Sequence, residues 1–396
     1  MAGSSSGFLR LVGLYVALFV AYGAVSPFLA AFLASRGLSP EAIGLVLAAG
    51  TAARLAAGPL GGYVADRLAA PRMVLVACTA AAAVVGFTYL PAADLWPLLC
   101  ASVAHATVLA PITPLADALT LAAAGSSRQP GSLWRRFDYG WVRGTGSAAF
   151  ILGTLLAGQV VGRYGLDSII WLNGLLLGGA AWCGVWVPDV IHSVTRAVTK
   201  QAGSLRTLLR LRPFRRLMLV AALIQGSHAM HDGFVVIHWR SVGIQDSTIG
   251  LLWSEAVAAE IVVFLFAGRP LVNWLGPAGA SMLAAVGGIM RWAVLAQTTS
   301  VTASALVEPL HGLTFALQHL ACMRLIGDTV PLRLAATAQA FYGTVAVGVA
   351  SVLLTIGSGL LYAHFGAAGF WAMSGLCTAA IPVAWFLRRP SVGDNC

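Results

Sequence analysis

Charge is scarce in this sequence: 10% of its 396 residues are Asp, Glu, Lys or Arg, against 59% that are hydrophobic. No water-soluble domain of that size carries such a composition without aggregating, so the solvent for most of its surface is lipid. Acidic residues are scarcer still, 14 against 24 basic ones, for a formal net charge of +10. A nucleic-acid partner would need that excess gathered on one face, and here the arginines are dispersed between apolar runs. The six cysteines include no close pair, which leaves no redox or metal motif. Cys78, Cys100, Cys183, Cys322 and Cys377 lie within apolar segments, and Cys396 is a tail thiol. No Gly-Lys-Ser/Thr phosphate-cradling loop is present, so ATP is not the energy source. With no soluble domain to hold a catalytic site, the chain is not expected to be an enzyme. It calls for no metal or organic cofactor, and a proton gradient is the expected energy source.

What the chain does have is long apolar runs. Stretches near the roughly 20 residues needed to cross a bilayer fall at 8–34, 43–65, 73–90, 95–120, 137–161, 168–187, 214–239, 247–268, 274–296, 302–325, 335–362 and 366–387. The first follows a single charge, Arg10, and is about twice as long as the core of a signal peptide, so it reads as an uncleaved helix. Barrel strands would alternate over about 10 residues, so helices are the spanning structure expected here. Of the 24 basic residues, 18 fall on one side of a twelve-span arrangement, 3 on the other (Arg36, Arg163 and Arg240) and 3 within spans (Arg54, Arg143 and Arg291). That asymmetry puts both termini in the cytoplasm.

An internal repeat divides the chain. Gly37-Leu-Ser-Pro-Glu-Ala-Ile-Gly44-Leu enters span two and Gly243-Ile-Gln-Asp-Ser-Thr-Ile-Gly250-Leu enters span eight, at a constant offset of 206 that also sets Gly62 opposite Gly268. Duplication explains this, and gives a first six-helix bundle over 1–188, a basic cytoplasmic linker over 189–212 and a second bundle over 213–396. Parallel repeats of this kind are a transporter architecture with the binding site expected between the halves near the midplane.

The stretch Gly62-Tyr-Val-Ala-Asp66-Arg67-Leu-Ala-Ala-Pro-Arg72, between spans two and three, resembles the cytoplasmic signature loop of the major facilitator superfamily. The resemblance implies an all-α membrane protein of twelve transmembrane helices in two pseudo-symmetric six-helix bundles. Gly62 would permit close helix approach, while Asp66, Arg67 and Arg72 form charge pairs that open and close as the halves rock. Within the superfamily, five stretches look like the phenylpropionate permease group of proton-linked transporters. They are Pro114-Leu-Ala-Asp117, Tyr139-Gly-Trp-Val-Arg143, Gln225-Gly-Ser-His228, Ala259-Glu260-Ile261 with Ile249-Gly-Leu-Leu-Trp253, and His311-Gly-Leu-Thr-Phe315 with His319. This similarity implies import of an aromatic or other small carboxylate together with a proton. It also implies an uncharged amide where Glu308 stands, so coupling or substrate differs in this chain.

An ionisable group at bilayer depth is costly unless paired or hydrated, so each one within a span is a candidate for function. In span ten Glu308, His311, Phe315 and His319 share one helical stripe, and in span seven Gln225, His228 and Asp232 share another. Poorly hydrated carboxylates and imidazoles exchange protons near neutral pH, so Asp232, Glu308, His311 and His228 are the candidate proton site. The plainer alternative is a hydrogen-bond network that only locks spans seven and ten together. A metal site using His228 and His231 is a sharper one, without a ligand motif behind it. Glu308→Gln is expected to uncouple proton flux and leave the fold intact.

Arg143 and Asp117 lie at comparable depth and either neutralise one another or serve substrate and gate, with Glu260 as the gate partner that the superfamily architecture offers Arg143. Arg143 also suits an anionic solute, since a guanidinium binds a carboxylate through two parallel bonds. Arg54 occupies the middle of span two, at the repeat position equivalent to Glu260, and is the second candidate anion anchor. Arg291 reads as an outer-end residue that snorkels to the interface, and Glu255 faces away from Glu260. Tyr15, Phe19, Tyr22 and Ser26 form a stripe in span one that lines a cavity for an aromatic solute or simply packs, and Trp253 and Phe315 carry the same two readings. The expected protein is a monomeric proton symporter of the bacterial inner membrane, with a small-molecule substrate, protons and the lipid bilayer as its partners. A proton antiporter exporting a drug or metabolite, a sugar or nucleoside symporter, and a non-transporting receptor are the other classes.

Overall fold

The computed structural model describes residues 3–126, 137–187, 205–331 and 334–387. Residues 189–204 of the expected linker, and the loop residues Arg128, Arg135, Arg136, Arg196 and Lys200, lie outside them. Among the described residues every regular element is a helix. Eight helical stretches are long and apolar enough to cross a membrane; two of these, Asp246–Gln297 and Ala335–Trp385, are 52 and 51 residues long and each covers two of the expected spans. The remaining two expected spans are helical as well. Span seven is broken at 227–228 into Arg212–Gly226 and Ala229–Ser241, and span ten, Val301–Thr329, is interrupted by a 3-10 turn at Glu308–Leu310 and a π segment at Gly312–Leu317. These two carry the expected proton stripes; the break leaves span seven in helices of 15 and 13 residues, too short to count singly, and polarity takes span ten out of the apolar set.

Turns fall where the sequence supplies residues for them. Gly37 and Gly243 adopt φ +81° and +84°, the left-handed region open to glycine, at equivalent points of the two repeats. Gly276 (φ +69°) with Pro277 behind it breaks the 52-residue stretch, so span eight runs past the expected boundary of 268 before span nine begins.

Contacts along the chain separate two compact units, one of Met1–Leu38, Ala49–Thr199 and Gln245–Leu251, the other of Ser39–Ala48, Lys200–Ile244 and Leu252–Cys396. Each unit thus includes a short segment from the opposite repeat. In the second, a Cβ on Gly44 would stand 2.9 Å from the Thr355 carbonyl and 3.1 Å from the Gly359 Cα; in the first, one on Gly250 would stand 3.0 Å from the Thr154 carbonyl and 3.4 Å from the Gly158 Cα. The same Thr-x-x-x-Gly face receives the same glycine in both cases, which gives the sequence repeat a structural counterpart.

The first unit's core gathers Leu11, Leu14 and Leu18 of span one with Leu75, Leu119 and Leu177. Spans one and five cross closely: a Cβ on Gly23 or on Gly153 would come within 3.0 Å of a backbone carbonyl of the facing helix. Gly23→Ala and Gly153→Ala are therefore expected to destabilise by about 1–3 kcal/mol through forced helix separation. Gly13→Ala, whose Cβ meets nothing within 4 Å, should be near neutral in the same detergent thermal-unfolding series. Large apolar side chains such as Trp96, Leu175, Trp274 and Leu306 face outward, as a lipid-solvated surface requires.

Candidate functional site

In the second unit the two polar stripes meet. His228 of span seven lies 4.9 Å from the ring of His311 and 6.2 Å from that of Phe315, and its Nε2 is 2.9 Å from the Thr314 hydroxyl. His311 and Phe315 stack at 5.5 Å. Further along, the Tyr342 hydroxyl donates to Gln225 Oε1 at 3.2 Å and stands 3.3 Å from His319 Nδ1. The break at 227–228 and the π segment set these groups: each releases the helix from its regular repeat at the level of the polar residues, a feature that recurs at functional sites.

The centre of the cluster is a residue the sequence reading left without a role. Arg291 does not snorkel. Its side chain is 0% exposed, and its Nη2 donates to Glu308 Oε2 at 2.6 Å, with Glu308 itself 0% exposed. The same guanidinium meets His311 Nδ1 and His231 Nε2, each at 3.0 Å, and lies 4.7 Å from the Trp292 ring. Trp292 is fixed in turn by donating to the Ser227 hydroxyl. An arginine at bilayer depth is tolerated because a carboxylate and two imidazoles surround it. A metal ion in this cluster would sit against the guanidinium, and like charges repel there.

His231 links this buried pair to an accessible acid. Its Nε2 is 3.3 Å from Glu308 Oε1 and its Nδ1 is 3.2 Å from Asp232 Oδ1. The imidazole is 3% exposed, whereas the Asp232 side chain is 60% exposed. His311 Nε2 reaches Glu260 Oε2 at 3.5 Å, with Glu260 partly exposed. Asp232, His231 and Glu308 therefore form a continuous chain of close contacts from an exposed acid to a buried carboxylate paired with Arg291. Trp253 stacks on His231 at 5.1 Å and is buried, so it supports the imidazole and does not line an open cavity.

The first unit holds a separate set. Arg143 lies 4.6 Å over the Phe19 ring, and Tyr139 is within reach of both Arg143 and Asp117. Asp117 accepts a 2.5 Å hydrogen bond from the Tyr15 hydroxyl. Of the expected span-one stripe, Tyr15 is 0% and Phe19 8% exposed, part of the apolar core. The packing reading holds for these two, because the arginine and the neighbouring helices cover them; Tyr22 keeps partial exposure.

The signature loop also differs from expectation in detail. The close helix approach is made by Gly61, where a Cβ would overlap Pro111, and not by Gly62, where it would meet nothing within 4 Å. Arg67 bonds the Tyr63 hydroxyl, and Arg72 caps the Val187 carbonyl at the end of span six. Asp66 is exposed and forms no ion pair among the described residues.

The profile of the MFS_1 like family matches residues 8–373. The chain is 32% identical over 397 residues to the probable 3-phenylpropionic acid transporter of Escherichia coli (strain K12), covering 96% of this chain and 97% of that one. It is 26% identical over 365 residues to the maltose permease of Geobacillus stearothermophilus, covering 92% and 90%. Two crystal structures of the nucleoside transporter NupG, one of them a single-substitution variant, share the fold at 16% identity. Their TM-scores are 0.82 for the variant and 0.77, over 96% of this chain and 99% and 97% of theirs. With its helical spans, its duplicated bundle and these relatives, the chain belongs to the MFS_1 like family of the major facilitator superfamily and is a multi-pass membrane transporter, not an enzyme.

Proposed function

We propose that this transporter is a proton symporter of the bacterial inner membrane, with cytoplasmic termini, that imports an aromatic or other small carboxylate by alternating access. The observation behind this reading is the Asp232–His231–Glu308–Arg291 chain, in which an exposed acid is joined through one imidazole to a wholly buried ion pair. A proton taken up neutralises Asp232, whose Oδ1 faces the imidazole of His231. Glu308 stays paired with Arg291, which also donates to the Nε2 lone pair of His231 and so leaves that ring's proton on Nδ1, toward Asp232. The charge of the network thus rises by one when a proton is bound. Such a change in a desolvated site favours one conformation of the carrier over the other. His311 and Glu260 extend the same network.

The substrate class comes from the 3-phenylpropionic acid transporter to which the chain is 32% identical. In proteoliposomes with an alkaline interior, labelled 3-phenylpropionate should enter at an initial rate above that of protein-free liposomes, and a protonophore should abolish the gain from the gradient. Facilitated equilibration with no response to the gradient would overturn the coupling. The likeness to a maltose permease favours a neutral sugar as the second reading, and uptake competed by maltose but not by 3-phenylpropionate would select it.

A further inference from the structure

The offset of 206 reaches well beyond the motif that reveals it. Phe28 and Phe234, both 0% exposed, Pro71 and Pro277, and Asp94 and Ser300, each at the position preceding a helix, all stand 206 apart. In that register Tyr22, Arg54 and His105 of the first repeat correspond to His228, Glu260 and His311 of the second. The second set is a cluster already described, with His311 3.5 Å from Glu260 and 4.9 Å from His228. Its acid and its imidazole satisfy one another.

The first set has the same placement and the opposite chemistry. Arg54 lies on the face of span two that Gly50, packed on Ser102 and Ala106, and Gly58, beside Ala110, turn toward span four, and it is exposed. Tyr22 and His105 both lie within electrostatic range of its guanidinium. His105 is 6% exposed and its Nε2 has no hydrogen-bond partner; the Tyr22 hydroxyl is buried and also lacks a well-formed bond, with Thr113 in range. Among the described residues no carboxylate pairs with Arg54, since Asp117, the acid nearest to Tyr22, is taken up by the Tyr15 hydroxyl. A forked cation thus has a phenol and an imidazole in electrostatic range and, among the described residues, no carboxylate paired with it. An exposed guanidinium within a span, on the face turned to a neighbouring helix, marks an accessible polar route, and its fork matches a carboxylate.

We propose that Arg54, with Tyr22 and His105, binds the carboxylate of the transported solute, and that the duplication has divided the work: one copy takes the anion and the other the proton. This rests on the carboxylate-import reading above and assigns its anion site. The test measures binding of 3-phenylpropionate to the full-length protein in detergent by tryptophan-fluorescence quenching. Arg54→Gln should weaken binding by about tenfold or more. Arg54→Lys, which keeps the charge and loses the fork, should weaken it severalfold and covers the case in which the glutamine variant does not fold. His105→Gln should weaken it to a lesser degree. Arg54 variants that are folded and bind as tightly as the wild type overturn the assignment alone. A wild type that binds neither 3-phenylpropionate nor benzoate overturns the carboxylate-import reading with it.

Discussion

Replacing Glu308 with glutamine is expected to cost about 3–5 kcal/mol of stability, because it strands the wholly buried Arg291 without its counter-ion. The shape of the side chain is kept, so the loss is one of charge. Arg291→Gln should cost a similar amount by stranding Glu308. The double variant, in which neither charge remains, should lose far less than the two single losses combined, with a coupling on the order of 2 kcal/mol. Thermal unfolding of the four purified proteins closes the cycle, and single losses that add without coupling would show that the 2.6 Å pair carries no net energy. This reverses the expectation from the sequence that Glu308→Gln spares the fold. A carboxylate seen alone can be neutralised cheaply, and one that holds an arginine cannot.

Asp232→Asn is expected to have the largest effect on transport. Asp232 is the exposed end of the network, and an amide there takes up no proton. Accumulation of 3-phenylpropionate against its gradient should fall to the level of protein-free liposomes. Exchange of internal for external substrate, which needs no net proton movement, should persist within severalfold of wild type. Because Asp232 is the exposed partner of the network, the substitution strands no buried charge, and the thermal midpoint should stay close to that of the wild type. Loss of exchange together with accumulation would make Asp232 a substrate ligand instead; unchanged accumulation would remove it from the proton path.

Much of this site can be read from spacing. The stripes Glu308-His311-Phe315-His319 and Gln225-His228-Asp232 follow from helical periodicity, and the structure brings them together through His228, His311 and Tyr342. Thr314, three residues past His311, was open to the same reading. Arg291 was missed because depth was judged from its own span alone. The turn between spans nine and ten falls at 298–300, and Arg291 and Glu308 stand almost equally far from it on either side, so hairpin geometry sets them at the same level. His231, read from the sequence only as a metal ligand, lies beside Asp232 and off the stripe, and its packing against spans nine and ten gives it Arg291 and a second carboxylate, Glu308. The π segment at Gly312–Leu317 and the break in span seven depend on hydrogen-bond register, which composition does not encode. At the signature loop the pattern named the right turn of helix and the wrong glycine, since Gly61 and Gly62 differ only in which way they face.

The central claim is that protons and a carboxylate move inward together through this network, and the pH inside proteoliposomes tests it most directly. With no gradient imposed, and at an external pH well above the carboxyl pKa so that little neutral acid diffuses through lipid, 3-phenylpropionate is added outside. The account predicts acidification of the interior that exceeds the protein-free control and is lost in Asp232→Asn. Substrate uptake by the wild type with an internal pH no different from that control would contradict it.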